Sequence, residues 1–241
     1  MAAEVCSYRL THKGKPVGNH ELKVQRGSRV TLLEGRALFQ GALGTSTVIQ
    51  RSRCRGEADG PAAVSLRFRE ETNERSGQRT FDLVFDAEQG VVTGSRGREE
   101  ATAPYLMPYR DPLSLLFELR SLGRADRAEE HVVVPMLGKD VTVQSAGEVE
   151  LDTPLGIKTA WAYRLHPGGS AVYVDREPPH LLLKMTQRLA DGYVDAVLVK
   201  IAQEGDLEDW GAPGGGPRGQ GGKRRRRSRR RKPRRGKRNN G

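Results

Sequence analysis

The residues whose types and spacing most directly dictate chemistry lie near the C-terminus. Arg218, Lys223, Arg224, Arg225, Arg226, Arg227, Arg229, Arg230, Arg231, Lys232, Arg234, Arg235, Lys237 and Arg238 crowd into the segment GAPGGGPRGQGGKRRRRSRRRKPRRGKRNNG. Guanidinium groups offer paired donors to phosphate oxygens, and each neutralised phosphate releases condensed counterions, which gives affinity without sequence choice. Residues Gly211 to Gly241 hold fourteen Lys or Arg, no Asp or Glu, and no Phe, Tyr or Trp. Lacking platforms on which unpaired bases could stack, such a segment reads the phosphate density and shape of RNA or DNA. The same composition also suits a solubilising tail, an anchor to anionic membrane surfaces or a nuclear localisation signal. Ala212 is its one hydrophobic side chain. The segment therefore cannot bury enough surface to offset its ordering entropy, and disorder is expected.

Removing those fourteen cations from the chain's 41 basic residues leaves 27, against 30 acidic residues that all precede Gly211. The first 210 residues thus carry about −3, and the whole net charge of +11 comes from the tail. Just before it, Glu204, Asp206, Glu208 and Asp209 surround Leu207 and Trp210. That cluster reads as a solvated linker, or as a strip that folds back on the tail's arginines.

Other chemistry-bearing residues are sparse. The five histidines, at positions 12, 20, 131, 166 and 180, show no HxxxH or His-Glu pairing. His12 and His20 flank a turn and could face each other across a hairpin, but surface histidines are the expectation, and no metal or cofactor is expected. Asp82 with Asp86, and Asp191 with Asp195, have the even spacing that places two carboxylates on one face of a strand. Exposed carboxylates on a polar face are the common case, and no catalytic residue is assigned. No GxSxG, Walker-type loop or strand–GxGxxG–helix unit occurs, so a non-enzymatic protein is expected. Cys6 and Cys54 lack further thiol or histidine neighbours at metal-ligand spacing and read as two buried thiols, with one disulfide between them as the alternative.

The elements before the tail read as strands. Cys6 to His12, Glu21 to Gln25, Arg29 to Leu33, Thr45 to Arg53, Ala63 to Glu70, Thr80 to Phe85 and Val91 to Thr93 are separated by turn residues at meander spacing. Strands resume at His131 to Leu137, Asp140 to Gln144, Glu148 to Leu151, Ile157 to Leu165, Ala171 to Asp175, Leu181 to Leu189 and Tyr193 to Ile201. Between the two runs lies one helix, Pro112 to Leu122. Asp111 fits its N-cap, Pro112 its first position and Gly123 its stop. Only Ser114, Glu118 and Ser121 form a polar stripe on it, so the helix must be buried on more than one side.

The helix DPLSLLFELR at Asp111 to Arg120, TPLGIKTAWAYRL at Thr153 to Leu165 and the closing DGYVDAVLVK resemble the bacterial family called domain of unknown function 3108, over roughly Val5 to Gln203. The resemblance implies a β-rich half-barrel similar to the lipoprotein-carrier fold, with a helix across its concave face and no known enzymatic activity. Most relatives are exported, whereas this sequence starts without an apolar leader and contains no run of about 20 apolar residues, so a cytoplasmic location is expected.

These readings combine into a mainly β chain. Residues 1–210 form an antiparallel curved sheet wrapped around one apolar helix, and residues 211–241 form a basic tail that binds nucleic acid. A partner or an apolar ligand would meet the half-barrel, in the latter case in a pocket lined by Leu113, Leu116 and Phe117.

Overall fold

A computed structural model describes residues 2–55, 63–123 and 131–210. The tail cations assigned to phosphate binding lie outside the described residues. By its contacts the chain divides into Met1–Asp209 and Trp210–Gly241.

The first unit is a single antiparallel sheet of 14 strands. Eight come before the helix: β1 (Ala3–His12), β2 (Lys15–Arg26), β3 (Val30–Phe39), β4 (Ser46–Arg55), β5 (Val64–Glu74), β6 (Gly77–Asp86), β7 (Val91–Arg96) and β8 (Glu99–Pro104). Helix α1 (Pro112–Leu119) follows, tightening into a 3-10 turn over Arg120–Gly123. Six strands complete the sheet: β9 (Val132–Met136), β10 (Lys139–Thr153), β11 (Gly156–His166), β12 (Ser170–Asp175), β13 (Leu182–Leu189) and β14 (Gly192–Glu204). The spatial order runs from β8 down to β1, then β14 down to β9, so the first and last strands are neighbours in the middle. The sheet curls without closing, and its edge strands are β8 and β9. The helix connects these edges, and Arg110 bridges to Met136 of β9.

Two expectations change in detail. The stretches Asp140 to Gln144 and Glu148 to Leu151 are one strand, β10, interrupted by an irregularity between Ser145 and Glu148. Strand β8 was not foreseen. Its sequence EEATAP has little β propensity, and pairing with β7 through a two-residue turn holds it in place.

The helix is apolar nearly all round because it has core on two sides. Leu115, Leu119 and Leu122 join a cluster with Tyr8, Tyr163, Val174 and Leu198, while Leu113 joins a second with Leu33, Phe68, Leu83 and Phe85. The polar stripe is consumed internally. Ser114 is fully buried, Glu118 pairs with Arg110, and Ser121 Oγ donates to the Glu118 carbonyl.

Candidate functional site

The helix N-terminus carries the most completely buried polar cluster. Asp111 Oδ1 accepts the Leu113 and Ser114 backbone N–H groups at 2.9 and 3.0 Å, satisfying donors that a helix start leaves orphaned. Its Oδ2 accepts the hydroxyls of Ser52 on β4 and Ser65 on β5, at 2.5 and 2.6 Å. Ser114 Oγ accepts the Asp111 N–H at 2.8 Å, which closes a capping box. Burial pushes the Asp111 carboxyl above its ordinary range, and these hydrogen bonds oppose the shift. Cys54 lies beside the cluster, its Sγ 3.0 Å from Ser52 Oγ, and burial raises its thiol far above the ordinary value.

Two ion pairs fasten the rest of the helix. Arg110 Nε donates to Glu118 at 2.6 Å, and the Arg110 N–H donates to the Pro135 carbonyl of β9 at 2.8 Å. At the other end Arg120 Nη1 meets Glu4 of β1 at 2.5 Å and its remaining donors reach the Pro179 and His180 carbonyls. Tyr163 Oη donates to the Leu122 carbonyl at 2.6 Å.

Beneath this frame the structure brings Leu113, Leu116 and Phe117 to one cavity, with Cys6, Tyr8, Leu22, Leu33 and Leu182 opposite. Its volume is about 30 Å³, room for roughly two waters at about 10–15 Å³ each. Close packing explains the size: a Cβ on Gly35 would stand 3.0 Å from Leu113 Cδ2. Phe117 also receives the Arg26 guanidinium, 5.3 Å from its ring centre. Burial pushes the Cys6 thiol up to about 11 and the His20 imidazole down to about 4. Both cysteines are free thiols.

The carboxylates and histidines weighed for chemistry are dispersed. Asp82 is held by Arg67 at 2.6 Å, Asp86 caps the Glu88 and Gln89 N–H groups, Asp191 meets Lys13, and Asp195 meets Lys184 and Thr186. His12 and His20 do not face each other, because their register partners are Lys15 and Tyr8. Among the described residues no group of three or more metal-ligating side chains converges.

The acidic cluster at the end of β14 is anchored at three points rather than freely solvated. Lys23 of β2 holds Glu204 at 2.6 Å, the Leu207 N–H donates to the Gln25 side chain of β2, and Arg53 of β4 donates to Asp209 at 3.0 Å. Gln25, Leu32 and Arg53 are successive register partners, so this strap runs from β14 across β1, β2 and β3 to β4. Val5 and Leu32, which alternation places on the outer face with Gln25, are buried. Sequence alone gave no signal for the strap, whose partners are more than a hundred residues away.

No helix among the described residues is long and apolar enough to cross a membrane. The chain has no match among curated proteins. Five solved chains match it, among them the crystal structure of a β-barrel-like protein of domain of unknown function DUF1849 from Brucella abortus. That structure has a TM-score of 0.54 and 12% identity over 84% of this chain and 98% of the other, a likeness of fold. The model of the family described as "Protein of unknown function (DUF3108)" matches residues 7–199, spanning the sheet, the helix and most of β14, and the chain belongs to that family.

Proposed function

We propose that this protein is a non-enzymatic, cytoplasmic, nucleic-acid-associated protein. Its arginine-rich tail binds RNA or DNA phosphates without sequence preference, and its half-barrel serves as a partner- or ligand-binding module. The observation that carries the reading is the charge partition: fourteen cations and no carboxylate after residue 210, against a body of about −3. Arginine pairing in the body supports it. Arg51, Arg53, Arg67, Arg69 and Arg79 on the strands each meet a carboxylate, leaving those guanidinium groups committed. An apolar-ligand carrier is the alternative reading. A cavity of about 30 Å³ at Leu113, Leu116 and Phe117 would require α1 to move before an apolar ligand could enter.

The test is a titration of labelled duplex DNA and structured RNA at several salt concentrations, with full-length protein and with a chain ending at Trp210. Full-length protein binds both, the shortened chain binds neither, and about 6–10 phosphate contacts lower affinity by roughly 10³–10⁵ between about 50 and 200 mM salt. Undiminished binding by the shortened chain, or affinity insensitive to salt, would sink the proposal.

A further inference from the structure

Strand β8 is one edge of the sheet. In the β7–β8 hairpin, Arg96 and Glu99 flank the two-residue turn, and the register continues through Gly94↔Ala101 and Val92↔Ala103. The Tyr105 N–H donates to the Gly90 carbonyl at 2.9 Å, which fixes the parity of the ladder. Odd-numbered residues of β8 therefore bond to β7, and the N–H and C=O groups of Glu100 and Thr102 point away from the sheet. Among the described residues no backbone group accepts or donates to them. Pro104, which has no N–H, ends the row.

That edge opens onto a groove of about 480 Å³. Phe81, Leu83, Val92 and Leu137 give it apolar walls, and Gly94, Ala101 and Ala103 give it a low floor. Phe81 remains 38% exposed. Gly94 keeps the floor low because a Cβ there would stand 3.2 Å from Leu83 Cδ2. On the other face of the edge, no cation among the described residues pairs with Glu100, whose register neighbour is Ser95.

We infer that β8 is a docking edge for an extended peptide segment of a partner protein, which adds as a further strand. Alternate residues of this segment are large and apolar, and the intervening ones are basic. Backbone pairing at Glu100 and Thr102 supplies affinity, and side-chain alternation supplies selectivity. Apolar side chains opposite Ala101 and Ala103 enter the groove, while basic ones meet Glu100 on the outer face. The inference rests on the half-barrel's role as a partner module and is independent of phosphate binding by the tail.

The probe is a fluorescent peptide, acetyl-Lys-Val-Lys-Leu-Lys-Val-amide, titrated by anisotropy against the full chain, with an uncharged version carrying Ser in place of Lys as control, since an acidic peptide would bind the cationic tail. The Lys peptide binds saturably and protects the Glu100 and Thr102 amides from hydrogen exchange, and the Ser peptide binds at least tenfold more weakly. Thr102→Pro removes an outward donor without touching the β7 ladder, and Ala101→Phe fills the groove. Each weakens binding at least tenfold, with thermal midpoints confirming that both variants fold. Should one variant fail to fold, the other still decides. Binding that both variants leave intact would overturn the β8 site while preserving the partner-module reading, and absence of saturable binding would overturn the site and remove support from that reading. A wild-type dimer that Thr102→Pro dissociates would overturn it in favour of a second copy at the edge.

Discussion

Asp111 and Ser52 meet at 2.5 Å with both side chains buried, joining the first turn of the only α-helix among the described residues to β4. The carboxylate also satisfies Ser65 and two backbone N–H groups, so its removal strands four donors in the interior. Asp111→Ala is expected to cost about 2–4 kcal/mol, and Asp111→Asn, which keeps an acceptor, less. Urea unfolding of the two variants checks this.

At the far end of the helix, Arg120 and Glu4 form a pair whose side chains are 7% and 19% exposed. Replacing one partner leaves the other charge poorly solvated, so Arg120→Met should lose about 3–5 kcal/mol. The double variant Arg120→Met with Glu4→Met should lose less than the sum of the single losses. A double-mutant cycle in denaturant measures the coupling.

His20 gives the domain an acid-sensitive step. Burial lowers its pKa from 6.5 to about 4, so the fold favours the neutral ring. Between those values the unfolded chain binds more protons, and stability rises with pH through the window and falls as pH drops. At about 1.36 kcal/mol per unit the effect is on the order of 3 kcal/mol. Stability measured from pH 7 to pH 4 should fall less steeply in His20→Leu than in the wild type.

The strap sets where the chain can be shortened. A chain ending at Trp210 keeps the Leu207–Gln25 and Asp209–Arg53 contacts and should match the full-length thermal midpoint in the absence of nucleic acid. One ending at Glu204 loses both of these contacts and should lose about 1–2 kcal/mol. Calorimetry at equal salt separates the two.

The helix was legible because its signals are local: Asp111, Pro112 and Gly123 mark its ends within thirteen residues of sequence. Strand β10 was read as two because Ser145-Ala146-Gly147 has turn composition, although it forms a bulge within one continuous strand. The trio Leu113, Leu116 and Phe117 could be chosen from apolarity, but its surroundings could not. Ser65 and Ser52 lie 46 and 59 positions from Asp111, and Glu4 lies 116 from Arg120, distances over which no periodicity carries information. The open β8 edge depends on hydrogen-bond parity, which only a known register supplies.

The order of strands also governs how the sheet can assemble. Every ladder but one joins strands that follow each other along the chain, and the exception pairs β1 with β14, from Ala3↔Glu204 to His12↔Val194. The arms β1–β8 and β9–β14 can therefore zip up from their own hairpins, whereas joining them must close a loop of almost the whole domain. That single long-range step is expected to set the folding rate, and during synthesis β1 waits with one unpaired edge until β14 has left the ribosome.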